Sequence, residues 1–310
     1  MEFNKKVYMA ATAYTLITGL AFLFVKIALT SADPFDLLAY RFTVAFIAIL
    51  VAYAFKKVKI DYSIERIKKI IPLALIYPLS FFTFQTFGLQ YTSSAEAGIL
   101  MASSPVFTLL LATYFIKEKT TFYQKLSILL SVAGVIYITV NKSTGLNFNS
   151  ILGVILILLT ALSIAGYNVM ARIYTRDFTS IELSSIMIFI SFIGYNLISI
   201  IKHLIKGTLS SFFAPLTSIS FIISILYLGV LSSLVTSLTT NYILSKIEAS
   251  KMSVFANLAT VITIIAGAVF LKENIYYYHI IGSILIVGGV LGTNFLDKLP
   301  KSEPWKFPIS

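Results

Sequence analysis

Polarity along this chain changes on the scale of whole helices. Ten apolar segments stand out, near 7–29, 36–55, 70–90, 94–116, 122–140, 151–171, 181–203, 217–240, 250–271 and 275–296. Each is about 20 residues long, enough for a helix to cross a hydrocarbon core of about 30 Å. The eighth is the hardest to bound, because its apolar tract runs from Phe221 on to Leu244. A transmembrane barrel would instead show alternating segments of about 10 residues with a polar lumen. Apolar runs such as Ile151–Leu162 exclude that. The predicted fold class is an all-α polytopic membrane protein with ten transmembrane helices.

Composition agrees. The 310 residues are 58% hydrophobic and 12% charged, with a mean hydropathy of +0.90. A soluble chain carries roughly 25% charged residues. The formal charge of +11 could point to nucleic acid, but the basic residues sit in short loops and gather on no single face. They report topology instead. With the N-terminus inside, eighteen Lys and Arg fall on the inner side and five on the outer, with Arg41 left within a span. Basic residues favour the cytoplasmic side, so both termini are expected in the cytoplasm, in the cell membrane. The apolar run after Lys5 and Lys6 continues to Leu29 without a cleavage site, so the first span is expected to stay in the mature protein. The basic stretch 56–69 suits a short helix near anionic headgroups, and 298–310, rich in proline, suits a disordered tail. Cysteine is absent, which excludes disulfides and thiolate metal sites.

One phrase is written twice. Ser93–Lys119 reads SSAEAGILMASSPVFTLLLATYFIKEK, and Glu248–Asn274 reads EASKMSVFANLATVITIIAGAVFLKEN. At an offset of 155, Val106 meets Val261, Phe115 meets Phe270, Lys117-Glu118 meets Lys272-Glu273, and Gly134-Val135 meets Gly289-Val290. At an offset of 146, Gly19–Lys26 lies over Ala165–Arg172, and Asp36 falls on Glu182. The chain therefore divides into a first five-span repeat, 1–145, and a second, 146–297. Five is odd, so the second copy is inverted: Glu118 is expected inside and Glu273 outside. Inverted repeats recur in secondary transporters, with the site near midplane between the halves.

These features resemble a family, the EamA-type transporters of the drug/metabolite transporter superfamily. The resemblance runs to about Phe295 and is carried by Gly19, Lys26, Pro34, Arg41, Tyr91-Thr92-Ser93, Pro105, Glu118 and Gly134, then by Ala165, Arg172, Glu273 and Gly289. It implies export of small metabolites, often amino acids, through a cavity lined by spans one, three, four, six, eight and nine. Relatives often carry Trp where this chain has Thr18 and Ile164, and Pro105 has Thr260 at its mirror position.

Polar side chains at membrane depth usually face the bundle interior and mark function; the alternative is hydrogen bonding between helices as packing glue. On this ground Gln85, Ser104, Asn168, Asn257 and Thr260 are candidate substrate contacts, with Thr18 and Ile164 at the positions where relatives carry Trp. Asn241 is a further candidate amide, ending the eighth span or beginning the turn after it. Pro105 removes a helical hydrogen bond, which leaves either a kink beside the cavity or a fixed bend, and Pro78 poses the same choice. Arg41 is expected to snorkel or, preferably, to pair with Asp33, Asp36 or Glu96 at the outer end. Lys26 and Arg172 are mirrored charges, with gating or structural roles open to them; Glu118 and Glu273 suit helix-end anchors.

None of the thirteen acids falls at midplane. No HExxH, phosphate-binding loop or ligand-spaced His/Asp/Glu cluster is present, so no cofactor or metal is expected and an enzyme is disfavoured. The expectation is a secondary transporter in the lipid bilayer carrying a small-molecule substrate, a zwitterionic or neutral metabolite such as an amino acid, without obligatory ion exchange. The alternative is a proton-coupled antiporter using Glu96 or another acid at a span end; a receptor or assembly factor is more remote. A monomer is expected, with a dimer as the alternative.

Overall fold

The computed structural model describes residues 5–55, 62–115, 122–141, 148–246 and 249–295. Among the described residues the secondary structure is helical, with no strand. The ten spans are α1 Lys5–Leu29, α2 Pro34–Ala54, α3 Ile64–Tyr91, α4 at 94–115, α5 Phe122–Val140, α6 Phe148–Tyr174, α7 Ser180–Lys206, α8 Ile219–Leu244, α9 Ala249–Phe270 and α10 Tyr277–Phe295. Seven contain apolar stretches long enough to cross a membrane; α5, α9 and α10 hold shorter ones. Exposed Ile205, Val269 and Ile284 belong to an apolar outer surface that suits lipid.

Two boundaries differ from the sequence reading. From Ile64 onward the expected surface helix forms the first turns of α3; residues 56–61 and the tail 296–310 lie outside the described residues. The eighth span begins at Ile219 and runs to Leu244, while Leu209–Thr217 forms a separate 3-10 turn holding Pro215. The Ser218 hydroxyl accepts from the Phe221 N–H at 3.4 Å, which starts α8 just after that turn.

Three spans are interrupted. In α4 the helix breaks at Ala102–Ser103 and restarts at Ser104, with Pro105 in the new first turn, where its missing N–H costs no helical bond. In α3 the segment Leu75–Ser80 is widened, and Tyr77 is extended at φ −145°, ψ 124°, the region favoured for a residue before proline. In α8 the segment Tyr227–Val235 is also widened, but it stays helical, with none of its residues extended as Tyr77 is. At the offset of 155, Tyr77-Pro78 falls on Ser232-Ser233, so α3 and α8 open at corresponding places in the two halves.

Packing follows the repeat. Helix α1 packs on α9 and α8, and α6 packs on α4 and α3; α2 lies against α7, α4 against α9, and α5 against α10. Helix α2 also meets α8, as α7 meets α3. Exchanging the halves (α1 with α6, α2 with α7, and so on) returns this same set of partners. The repeated glycines sit where α5 and α10 touch. A Cβ on Gly134 would lie 2.8 Å from the Gly282 carbonyl oxygen, and one on Gly289 would lie 2.5 Å from that of Ser127. Small residues let helix backbones approach this closely in a bilayer.

Candidate functional site

The α3 and α8 breaks are served from opposite halves. At α3, the Tyr195 hydroxyl of α7 donates to the Leu79 carbonyl at 2.7 Å and lies 3.0 Å from Thr83 Oγ1. Pro78 has no N–H to give to the carbonyl one turn back, and the Tyr195 bond ties α7 to the chain just after that break. At α8, the server is Arg41 of α2. Its Nε donates to Ser233 Oγ at 2.7 Å and its Nη2 to Ser232 Oγ at 2.9 Å. Its guanidinium carbon stands 3.9 Å from the centre of the Phe82 ring. Phe82 contacts Phe42 at 5.4 Å and Tyr77 at 5.4 Å between ring centres, so the cation lies among rings.

Arg41 is 0% exposed, and its Nη1 has no hydrogen-bond partner among the described residues. The expected pairing with Asp33, Asp36 or Glu96 is not what forms; no carboxylate lies within ion-pair distance of Arg41 among the described residues. Two physical facts account for this. The long side chain reaches Ser232 and Ser233, at the midpoint of the 26-residue α8, instead of turning toward the headgroups. The acids at the start of α2 are already engaged. Asp33 caps α2 by accepting from Phe35 N at 3.0 Å and Asp36 N at 3.3 Å, and also accepts from Lys202. Asp36 accepts from Ser199 and, at 2.7 Å, from Lys202; its Oδ2 lies 2.9 Å from His203 Nε2. His203 Nδ1 in turn lies 2.9 Å from Thr208 Oγ1.

Close approach of α2 and α8 depends on Gly229. A Cβ there would lie 2.8 Å from the Arg41 carbonyl oxygen and 2.7 Å from a Val44 methyl. One residue with a side chain at this position would hold Ser232 and Ser233 away from the guanidinium.

A buried polar line continues from the α3 break into the second half. Tyr77 stacks on Tyr167 of α6 with ring centres 4.3 Å apart. The Tyr167 hydroxyl donates to Asn241 Oδ1 at 2.6 Å, and Asn241 Nδ2 donates to Ser184 Oγ at 2.8 Å. Asn241 thus lies inside α8 and is fully buried.

The residues singled out from the sequence lie on α1, α3, α4, α6 and α9. Gln85, Ser104, Asn168 and Thr260 are buried, and Thr18 and Ile164 are half-buried. Gln85 Oε1 and Asn168 Oδ1 have no hydrogen-bond partner among the described residues. Ser104 contributes its carbonyl to Thr108 Oγ1 at 3.0 Å. Ile164 packs in the cluster that contains Tyr77, Phe82 and Tyr167. No hydrogen bond joins any two of these six among the described residues. The side chains of Asn257 and Arg172, and all of Glu118, lie outside the described residues. Lys26 is half-buried in the last turn of α1, and Glu96 is buried in the first turn of α4. Glu273 accepts from the backbone N–H of Ser94 at 2.7 Å and of Ala95 at 2.9 Å, tying the α9–α10 turn to the start of α4.

Sequence reasoning overlooked Ser232-Ser233 and Tyr77 as polar partners, and Asp36 with Lys202 and His203 as a cluster. The signal for the first was present: Ser232-Ser233 stands at the same offset from Tyr77-Pro78 that relates the repeated phrases.

Comparison with known proteins agrees with this architecture. The EamA-like transporter family pattern matches twice, over residues 5–140 and 151–295. The chain is 49% identical over 295 residues to the uncharacterized transporter YcxC of Bacillus subtilis, covering 95% of each chain. It is 21% identical to the uncharacterized transporter YoaV of the same organism, covering 94% of this chain and 97% of that one. A solved crystal structure superposes with a TM-score of 0.63 at 17% identity, over 94% of this chain and 98% of its own, which is a likeness of fold. With both halves matched and a near half-identical relative along almost its whole length, the chain belongs to the EamA-like transporter family.

Proposed function

We propose that this membrane transporter exports small zwitterionic metabolites, amino acids foremost, by alternating access and without obligatory exchange for an ion. The observation that carries this reading is the mirrored packing of two five-helix halves around a buried polar seam, with corresponding breaks in α3 and α8. Two equivalent halves of opposite orientation can exchange conformations, which turns one access state into the other. Buried hydroxyls, amides and one guanidinium replace the hydration of a solute that carries both charges. The protein sits in the cell membrane with both termini in the cytoplasm, and the halves meet between residues 145 and 146.

A second reading, proton-coupled antiport, is favoured by one observation: Glu96 is a carboxylate only 2% exposed, at the start of a span. Purified protein in liposomes separates the two. Counterflow of radiolabelled L-amino acids is expected without an imposed pH gradient. A strict requirement for the gradient that Glu96→Gln abolishes, with the protein still folded, would instead make Glu96 the proton site. Orientation is checked by a cysteine at Asn147 in the naturally cysteine-free chain, which an impermeant thiol reagent should label from outside intact cells. Labelling only from the cytoplasmic side would reverse the topology.

A further inference from the structure

We propose that Arg41 is the docking point for a carboxylate of the transported solute. The inference rests on the carrier reading above and adds the chemistry that the carrier recognises.

A guanidinium offers its donors along two edges. One edge, formed by Nε and Nη2, is held by the Ser233 and Ser232 hydroxyls at 2.7 and 2.9 Å, and Nη2 also donates to the Ser232 carbonyl at 3.4 Å. One face is covered by Phe82 at 3.9 Å. These contacts lock the rotamer and aim Nη1, which has no partner among the described residues. An ionised group at 0% exposure in a bilayer is costly unless it is paired. Serine dipoles and a ring quadrupole offset part of that cost and supply no countercharge. A carboxylate matches this site in charge, because one of its oxygens can accept a charge-assisted N–H bond from the unpartnered Nη1. Lys202 and His203 occupy the nearby Asp33 and Asp36, so the closest acids in the chain are engaged elsewhere.

The position also fits the transport cycle. Arg41 belongs to the first half, and its two serine partners belong to the break of the second half. A solute held by Arg41 therefore sits where the halves meet, and movement of α8 relative to α2 changes the number of donors that the guanidinium has to spare.

The test has one arm that does not depend on transport. The chain contains four arginines, so guanidinium nitrogen spectra of isotope-labelled protein in detergent are simple, and Arg41→Lys assigns the Arg41 signal. Acetate is expected to shift that signal saturably, whereas acetamide and chloride leave it in place. Absence of a saturable shift, or an equal shift with acetamide, overturns the proposal. The second arm measures counterflow of L-amino acids in liposomes. Arg41→Met and Arg41→Lys are expected to raise KM about tenfold to a hundredfold, the loss of a charge-assisted bond. Equal KM values for wild type and Arg41→Met overturn the carboxylate site while the carrier reading stands. Saturable acetate binding with no amino acid carried would leave the carboxylate site and remove the amino-acid reading. Should Arg41→Met fail to fold, the spectra of the wild-type protein still decide.

Discussion

The α3 and α8 breaks occupy corresponding positions in two copies of one design, yet they are stabilised by different chemistry. At α3, a neutral Tyr195 hydroxyl satisfies the Leu79 carbonyl. At α8, a charged Arg41 binds two serine hydroxyls and a serine carbonyl, and its Nη1 has no partner among the described residues. The first arrangement closes its own hydrogen bonds. The second is a cation whose charge no described residue balances. Duplication supplies matched irregularities in α3 and α8, and divergence supplies their different chemistry; on the proposed reading, the negative end of the solute meets α8.

The largest expected effect tests whether Arg41 is indeed independent of the acids at the start of α2. Asp36 is buried and holds Lys202, Ser199 and His203 together. Removing one partner of a buried ionic cluster leaves the others uncompensated and costs roughly 3 kcal/mol. Asp36→Ala should therefore lower stability in detergent by about that amount, read by thermal or chemical denaturation, while the folded fraction keeps its substrate KM. A raised KM with unchanged stability would show that Asp36 acts on the seam after all.

Next in size is the contact that brings the two partners of the α8 break together. Gly229→Val places methyl groups where Val44 and the Arg41 backbone already stand. Overpacking of this kind costs about 1–3 kcal/mol, and it also separates Ser232 and Ser233 from the guanidinium. The expected outcome is a lower unfolding midpoint together with a higher KM. Gly166, where an added Cβ would make ordinary contact 3.6 Å from an Ile76 methyl, serves as the control: Gly166→Ala should leave both readings close to wild type.

Much of this was legible before any coordinates. Ten spans and their pairing into two halves follow from apolar run length and the repeated phrase, because a helix buried in lipid must be apolar throughout and a duplicated unit keeps its own contacts. Burial of Gln85, Ser104, Asn168 and Thr260 was expected on the same ground. What the sequence concealed depends on reach and competition. Arg41 stands seven residues after Pro34, about 10 Å along the helix, which places its backbone in the first half of α2; only the direction of its side chain puts the charge against the middle of α8. Asp33 and Asp36 looked like its partners because they are close along the chain. Lys202 and His203, about 165 residues away, capture them through the α2–α7 contact, and no local pattern announces that.

The smallest effects sharpen the opening contrast most directly. Tyr195→Phe keeps the ring stacked on Phe42, whose centre lies 5.2 Å away, and removes only the hydroxyl. The Leu79 carbonyl then loses this donor inside the bundle, which costs about 1 kcal/mol, the net worth of one hydrogen bond. Arg41→Met removes a charge that the protein does not balance and fills the space with a flexible apolar chain of similar length. Ser232 and Ser233 can turn their hydroxyls to backbone carbonyls one turn back, as Thr236 does at 2.6 Å to the Ser232 carbonyl. Stability should therefore change by less than about 1 kcal/mol, because exchanging an ill-compensated buried ion for an apolar group of similar volume is often neutral. The two variants are thus expected to cross. Tyr195→Phe loses stability and keeps its substrate KM; Arg41→Met keeps stability and loses affinity. Denaturation curves and counterflow on the same two preparations measure both axes. If Arg41→Met proves the less stable of the pair and the two KM values match, Arg41 is a structural brace like Tyr195, and the α3 and α8 breaks do the same task.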